Sequence, residues 1–127
     1  MPSVFQYDTN NFNPPAPVLE VSLSSPISQG EVIKIPALLD SGADITVIPP
    51  NIAQQLQLKY VDEISVAGYD GIAQKVFVYS AKIIFDNLGD FIIRVITSGG
   101  EHALVGRDIL NKWSVLLKGR NKIFEIS

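Results

Sequence analysis

The chain's 127 residues are enough for one domain around one core, and no apolar run is long enough to span a bilayer. A net charge of −3, with the 10 Lys and Arg residues scattered rather than gathered in a stripe, argues against nucleic acid as the main partner. There is no cysteine and a single histidine, His102. Disulfides, thiolate metal sites and a Cys nucleophile are therefore excluded, no cofactor or metal is expected, and the remaining chemistry is mainly that of carboxylates.

The amino-terminal "MPSVFQYDTNNFNPPAP" has neither a basic n-region nor an apolar h-region, so it does not read as a secretory signal. A cytoplasmic protein with no membrane partner is expected. Residues 1–15, polar and rich in Asn and Pro, read as a flexible extended arm ahead of a folded domain over residues 16–127. From there strand follows strand. "PVLEVSL" (17–23) alternates, and "SSPISQG" is a turn cluster. "EVIKIPALL" (31–39) is a strand in which Pro36 predicts a bulge or an edge position. "DITVI" (44–48) is short and β-branched. "PPNIAQQLQL" (49–58) reads as a helix with proline in its first turn and Ile52, Leu56 and Leu58 on its apolar side.

"EISVAG" (63–68) and "IAQKVFVYSAKIIF" (72–85), joined by "GYDG", read as a hairpin. After the turn "NLGD" comes the strand "FIIRVIT" (91–97), then the loop "SGGEH". "ALVG" is a buried run feeding a short helix, "RDILNKW" (107–113). "SVLLK", the turn "GRN" and "KIFEI" close the chain as a hairpin. Roughly nine short strands with two short helices predict an all-β domain, closed or sandwich-like.

The stretch "LLDSGADITVIPP" (38–50) places an acidic turn between apolar runs. An Asp at a strand end, followed by a hydroxyl residue and a glycine, makes a tight turn that can take positive φ at Gly42. Such a turn aims the Asp40 carboxylate inward. Ser41 can steady it by donating to a neighbouring carbonyl, and Gly42 lets a ligand approach the backbone. An ordinary Asx-turn between two strands would use the same tripeptide.

The wider context separates the two readings. "LLDSGADITVIP" resembles the catalytic motif of the retropepsin-like aspartic proteases. "ALVGRDIL" (103–110) resembles that family's apolar-apolar-Gly segment with its Arg and short helix. Between them, "VAGYDGIAQKVFVY" (66–79) resembles the flap hairpin. The order and spacing of all three carry the resemblance, which spans residues 17 to 126. Ser41 stands where Thr is commoner, with the hydroxyl kept, and the flap is less glycine-rich than in many viral members.

The resemblance implies a closed, barrel-like acid protease fold with one or two short helices, active as a homodimer on peptide or protein substrates. The catalytic set would be Asp40, Ser41 and Gly42. Substrate would meet Ala43, Asp44 and the flap tip Gly68, Tyr69, Asp70 and Gly71, with Ile45 and Val105 as further pocket candidates. Arg107 would pair with Asp44 as structural support, in a geometry open to bidentate contact. Because "DSG" occurs once, a catalytic pair requires Asp40 from two chains. The resemblance also implies chain termini shared at the interface, with "KIFEIS" as the pairing end.

The competing class is a catalytically silent dimerisation or peptide-binding module with the same fold. A nucleic-acid-binding β-barrel lacks both a basic face and an aromatic platform. His102 is expected at the surface and Trp113 in the core. Asp108 is expected to cap or brace its helix without chemistry. "NNFNPP" in the arm is a conceivable self-cleavage site.

Overall fold

Leu19, Val21 and Leu23 recur at every second position of one strand and are all buried, the period that puts one face of a strand on a core. The computed structural model describes residues 1–28, 30–67 and 70–127. The elements are β1 (Ser3–Gln6), β2 (Val18–Ser24), β3 (Ile33–Leu39), β4 (Val47–Ile48), α1 (Pro50–Gln55), β5 (Tyr60–Ala67) and β6 (Ala73–Phe85). They continue with β7 (Gly89–Thr97), β8 (Ala103–Val105), α2 (Arg107–Leu110), β9 (Val115–Lys118), a 3₁₀ turn (Gly119–Asn121) and β10 (Ile123–Ile126). Among the described residues, no helix is long and apolar enough to cross a membrane.

Six strands close on themselves in the order β2-β3-β8-β4-β7-β6, with β6 pairing back onto β2. Closure leaves these strands no free edge. Its interior holds Leu23, Ile48, Ile83, Val95 and Val105, all essentially without exposure. The fold is the all-β, closed barrel with two short helices expected from the sequence. In the second half of β6, Ala81, Ile83 and Phe85 point inward. Its first half leaves the barrel paired with β5, and this hairpin projects as the flap. Residues 68 and 69, half of the expected tip, lie outside the described residues.

Pro36 produces no bulge, because the β2–β3 register runs unbroken from Val18↔Leu38 to Leu23↔Ile33 through Glu20↔Pro36. Leu39 donates to the Pro17 carbonyl at 3.0 Å, so alternation turns the Pro36 nitrogen away from β2. On that side β8 begins to pair only at Ala37, so no ladder bond needs the missing N–H. The strand expected over 44–48 shrinks to Val47–Ile48, because the Thr46 N–H goes to Asp108 instead of a ladder. Helix α1 is shorter than 49–58, but Ile52, Leu56 and Leu58 are all buried as expected.

The amino-terminal segment, read from sequence as a flexible arm, is tied into the structure. β1 pairs antiparallel with β10, and Phe5 stacks on Phe124 with ring centroids 5.1 Å apart. Asp8 and Ala16 form a further bridge. The Asp8 carboxylate accepts from the backbone N–H groups of Asn10 and Asn11, both at 2.9 Å, and from the Asn11 amide at 3.1 Å. The Asn11 N–H and amide hold the Asp8 carboxyl below its ordinary range. Only apolar pairing across the length of the chain, invisible to local composition, explains the ordered start.

β1, β10 and β9 form a separate three-stranded sheet with β10 in the middle. Phe124 and Ile126 of β10 pass into the same core cluster as the barrel residues. Trp113 is half-buried and meets the edges of Phe85 and Phe91, with centroids 4.9 and 6.0 Å away.

Candidate active site

Strands β3 and β8 run parallel with Leu39 opposite Val105, so Asp40 leaves β3 beside Gly106. The Asp40 N–H donates to the Val105 carbonyl at 2.9 Å, which continues the ladder by one residue into the turn. The chain then reverses. Ala43 N–H reaches the Asp40 carbonyl at 3.2 Å, and Gly42 N–H donates to Asp40 Oδ1 at 2.9 Å. One carboxylate oxygen is thus held by the backbone of its own turn.

The turn is braced from the end of the adjacent strand β8 by the "VGR" segment. Arg107 N–H donates to the Ala43 carbonyl at 2.8 Å. A Cβ on Gly106 would lie 2.8 Å from the Ile45 carbonyl carbon and 2.9 Å from the Ala43 oxygen, closer than any side chain permits. Glycine at 106 is therefore a condition of the two loops meeting. The Arg107 side chain donates from Nη1 to the Ser41 carbonyl at 2.6 Å and from Nη2 to Asp44 Oδ1. The expected Arg107–Asp44 pair forms, but not in bidentate fashion, because the second guanidinium nitrogen serves Ser41 instead. The Asp44 side chain is 79% exposed and that of Arg107 44%, so the ion pair stabilises weakly and mainly orients the loop.

Two residues absent from the sequence-derived site complete the brace. Thr46 is fully buried. Its Oγ1 donates to Asp108 Oδ1 at 2.7 Å, its N–H donates to Asp108 Oδ2 at 3.0 Å, and Gly106 N–H donates to Thr46 Oγ1 at 3.1 Å. Asp108 also accepts the Ile109 N–H at 3.0 Å, but α2 starts after Gly106 with no side-chain cap, so Asp108 braces the helix against the turn rather than capping it. The partners are 62 positions apart, and Thr46 sits in a run that reads as plain strand, so nothing local signalled the contact.

Two sequence expectations about the turn need correction. Among the described residues, positive φ at glycine falls at Gly71, Gly89 and Gly100 rather than at Gly42. Gly42 is instead favoured by space, since a Cβ there would sit 3.1 Å from Asp40 Oδ1. The Ser41 hydroxyl makes no hydrogen bond among the described residues. Backbone contacts and Arg107 hold the loop in its place.

A cleft of about 530 Å³ lies between the turn and the flap. Gly42, Ala43, Asp44 and Ile45 form its floor, and Ile64, Val66 and Ala67 of β5 its roof. A neighbouring cavity of about 450 Å³ shares Val47, Val66 and Ile96 with it. Ala43, Asp44 and Ile45 line the cleft itself. Val105 does not, being 1% exposed and committed to the core and to the Asp40 N–H. At the flap end, Asp70 Oδ1 accepts the Ile72 N–H at 3.0 Å and Gly71 has φ 75°, a turn away from the cleft wall. Gly68 and Tyr69 lie outside the described residues. Asp40 lines neither of two hollows that its chain neighbours reach. Gly42 and Ala43 line the cleft on one side, and Leu39 and Ser41 line a smaller apolar groove on the other. His102 is half-buried at a distance from the turn, its ring 5.1 Å from Phe12 in an edge contact.

A family model described as "gag-polyprotein putative aspartyl protease" matches residues 29–112, the range that holds the turn, the flap and the bracing segment. The chain belongs to this family. Among solved structures, this aspartyl-protease-family chain is similar to a retropepsin-like aspartic protease from Rickettsia conorii. That match has a TM-score of 0.65 at 14% identity and covers 99% of this chain and 89% of the other. It is also similar to the EIAV protease complexed with the inhibitor HBY-793, with a TM-score of 0.59 at 19% identity, over 85% of this chain and 93% of the other. The simian foamy virus (mac) protease gives a TM-score of 0.57 at 19% identity, over 75% and 92%. At such identities these likenesses establish the retropepsin-like fold. No curated protein matches the chain.

Proposed function

We propose that the chain is an aspartic endopeptidase that hydrolyses peptide bonds of extended peptide or protein substrates. The reading is carried by the position of Asp40. Its carboxylate belongs to a backbone-braced turn whose other residues line the cleft and the groove, with one oxygen held by Gly42 N–H. Membership of an aspartyl protease family and the retropepsin-like fold support protease chemistry in general.

The reaction needs two carboxyl groups about one water. The ionised one takes a proton from the water as its oxygen adds to the scissile carbonyl carbon. The protonated one gives its proton to the carbonyl oxygen. The tetrahedral intermediate then collapses, the C–N bond breaks, the carboxyl that took the water's proton passes it to the leaving nitrogen, and the other carboxylate recovers a proton from a hydroxyl of the intermediate. Two carboxylates this close resist ionising together, so the pair retains one proton over its working range. One chain supplies one Asp40, and a homodimer supplies the second. Within the cleft, an extended substrate would lie between the turn and β5 as an added strand, with Ile45, Val47, Ile64 and Val66 presenting apolar walls to its side chains. Ala43, Asp44 and the flap residues Gly68, Tyr69, Asp70 and Gly71 are the proposed substrate contacts, and flap closure would exclude water.

The deciding experiment is cleavage of a peptide library by the wild type and by Asp40→Asn. The variant should keep its circular dichroism and melting temperature while losing cleavage. An unchanged rate would sink the proposal. Peptide binding without cleavage by a verified wild-type dimer would assign the chain to the silent binding modules instead.

A further inference from the structure

One loop touches two separate hollows. Residues 98–102 join β7 to β8. Where β7 ends, Thr97, Ser98 and Gly99 line the cavity of about 450 Å³ that opens beside the cleft. At the other end of the loop, Glu101 and His102 line a different hollow of about 420 Å³, shared with Asn11, Phe12 and Pro36. The cavity beside the cleft is walled by Val47, Val66, Val76, Ile96 and Leu104, and no charged side chain among the described residues lines it.

The loop has little of its own to hold it. Ser98 N–H donates to the Ile48 carbonyl at 3.2 Å, and Ala103 enters β8 opposite Ala37. Between these anchors Gly99, Gly100 and Glu101 are exposed, and a Cβ on either glycine would meet nothing within 4 Å. His102 is the loop residue that is half-buried, with its ring edge-on to Phe12 at 5.1 Å between centroids. Phe12 is itself fixed. The Asp8–Ala16 bridge closes the segment between β1 and β2, and the Asp8 carboxylate folds its start onto Asn10 and Asn11. Within that segment Phe12 is half-buried between exposed Asn11 and Asn13, so a closed arm outside the barrel presents its ring to the β7–β8 loop.

We propose that Phe12 is a positioning residue for substrate selection. Through its edge contact with His102 it holds the β7–β8 loop as the outer wall of the side cavity, against the substrate side chain that enters there. This inference deepens the protease reading above and rests on it. The cavity shares Val47, Val66 and Ile96 with the cleft, so a substrate strand lying in the cleft can send a side chain into it. Its uncharged, apolar walls select an aliphatic or aromatic side chain. A wall with two unpacked glycines belongs to the least stable part of a fold, where one contact changes how often the segment opens. Loosening it removes contacts from a large side chain and few from a small one. The loss falls on binding, so KM rises while kcat holds.

Amide exchange and cleavage test the proposal together. In Phe12→Ala, exchange of the Ser98 amide, which anchors the start of the loop, should quicken roughly three- to tenfold, the effect of one lost aromatic edge contact. The amides of residues 40–44 should exchange as in the wild type. Two peptides are then compared that differ only in Leu or Ala at the position where a library shows an apolar preference. KM for the Leu peptide should rise several-fold with kcat unchanged, and the preference for Leu over Ala should shrink. Phe12→Tyr, which keeps the ring, should restore both readings, and His102→Ala should reproduce the loss. A lowered melting temperature with an unchanged ratio between the peptides, or unchanged exchange at Ser98, would overturn the proposal. The two readings fail separately. A wild type that cleaves no peptide refutes the protease reading, and exchange at Ser98 still decides whether Phe12 holds the loop.

Discussion

The barrel and the three-stranded sheet solve opposite problems with the same kind of strand. In the barrel every strand from β2 to β8 except the flap strand β5 is closed into the ring, and the Asp40 turn is stitched to Val105, Gly106, Arg107 and, through Thr46, Asp108. The sheet is assembled from the two ends of the chain, lies outside the family-matched range of residues 29–112, and keeps an open edge at β9. A closed barrel can hold one carboxylate in a defined place.

The firmest way to break the contrast is at the joint between the two regions. Phe124 is fully buried between Phe5 and the barrel core. Phe124→Ala should cost about 3–5 kcal/mol. Because Phe124 shares one core cluster with the barrel, denaturant unfolding followed by two probes should remain a single transition. Two separate transitions would show that the sheet is an independent unit.

Within the barrel, Gly106→Ala forces a methyl into backbone atoms of residues 43 and 45 and should cost roughly 1–3 kcal/mol. The turn would shift with it, so peptide cleavage should fall by more than the loss in melting temperature explains. Asp108→Ala leaves the buried Thr46 hydroxyl and N–H short of an acceptor, a loss of about 1–3 kcal/mol. Asp108→Asn, which keeps one acceptor oxygen, should recover part of it in the same thermal melt.

Arg107→Lys should lower stability by less than about 1 kcal/mol, since the ion pair is exposed. A single ammonium has no fork with which to hold Asp44 and the Ser41 carbonyl together. The effect should appear mainly in cleavage rate, and an unchanged rate would show that the guanidinium is dispensable to the turn.

The smallest effect is expected at the amino-terminal loop. The Asp8 carboxyl is held below its ordinary value by Asn11, so its stabilisation is complete above that value and is lost as pH falls through the lowered one. Amide exchange at Asn10 and Asn11 should accelerate over that acidic window while β3 and β8 stay protected.

The strands were legible because burial on one face imposes a period of two, and Leu19, Val21 and Leu23 obey it. The site was legible where chemistry is packed into neighbouring residues. "DSG" places a carboxylate, a hydroxyl and a close-packed glycine in one turn, and "VGR" supplies the tight approach and the guanidinium. Its remaining parts were not legible, because they join residues far apart in sequence. Thr46 and Asp108 meet 62 positions apart, and nothing in either neighbourhood marks the contact. The bridge between Ser3 and Ile126 spans almost the whole chain, so "MPSVFQ" read as a loose arm although Phe5 stacks on Phe124. Local pattern determined by itself most of the barrel strands and where the carboxylate turn falls, because backbone geometry and side-chain chemistry act over a few residues. Tertiary structure alone decided that β10, the expected pairing end, is filled from both sides by its own chain. Strand pairing is chosen by which edges remain free once the core has closed.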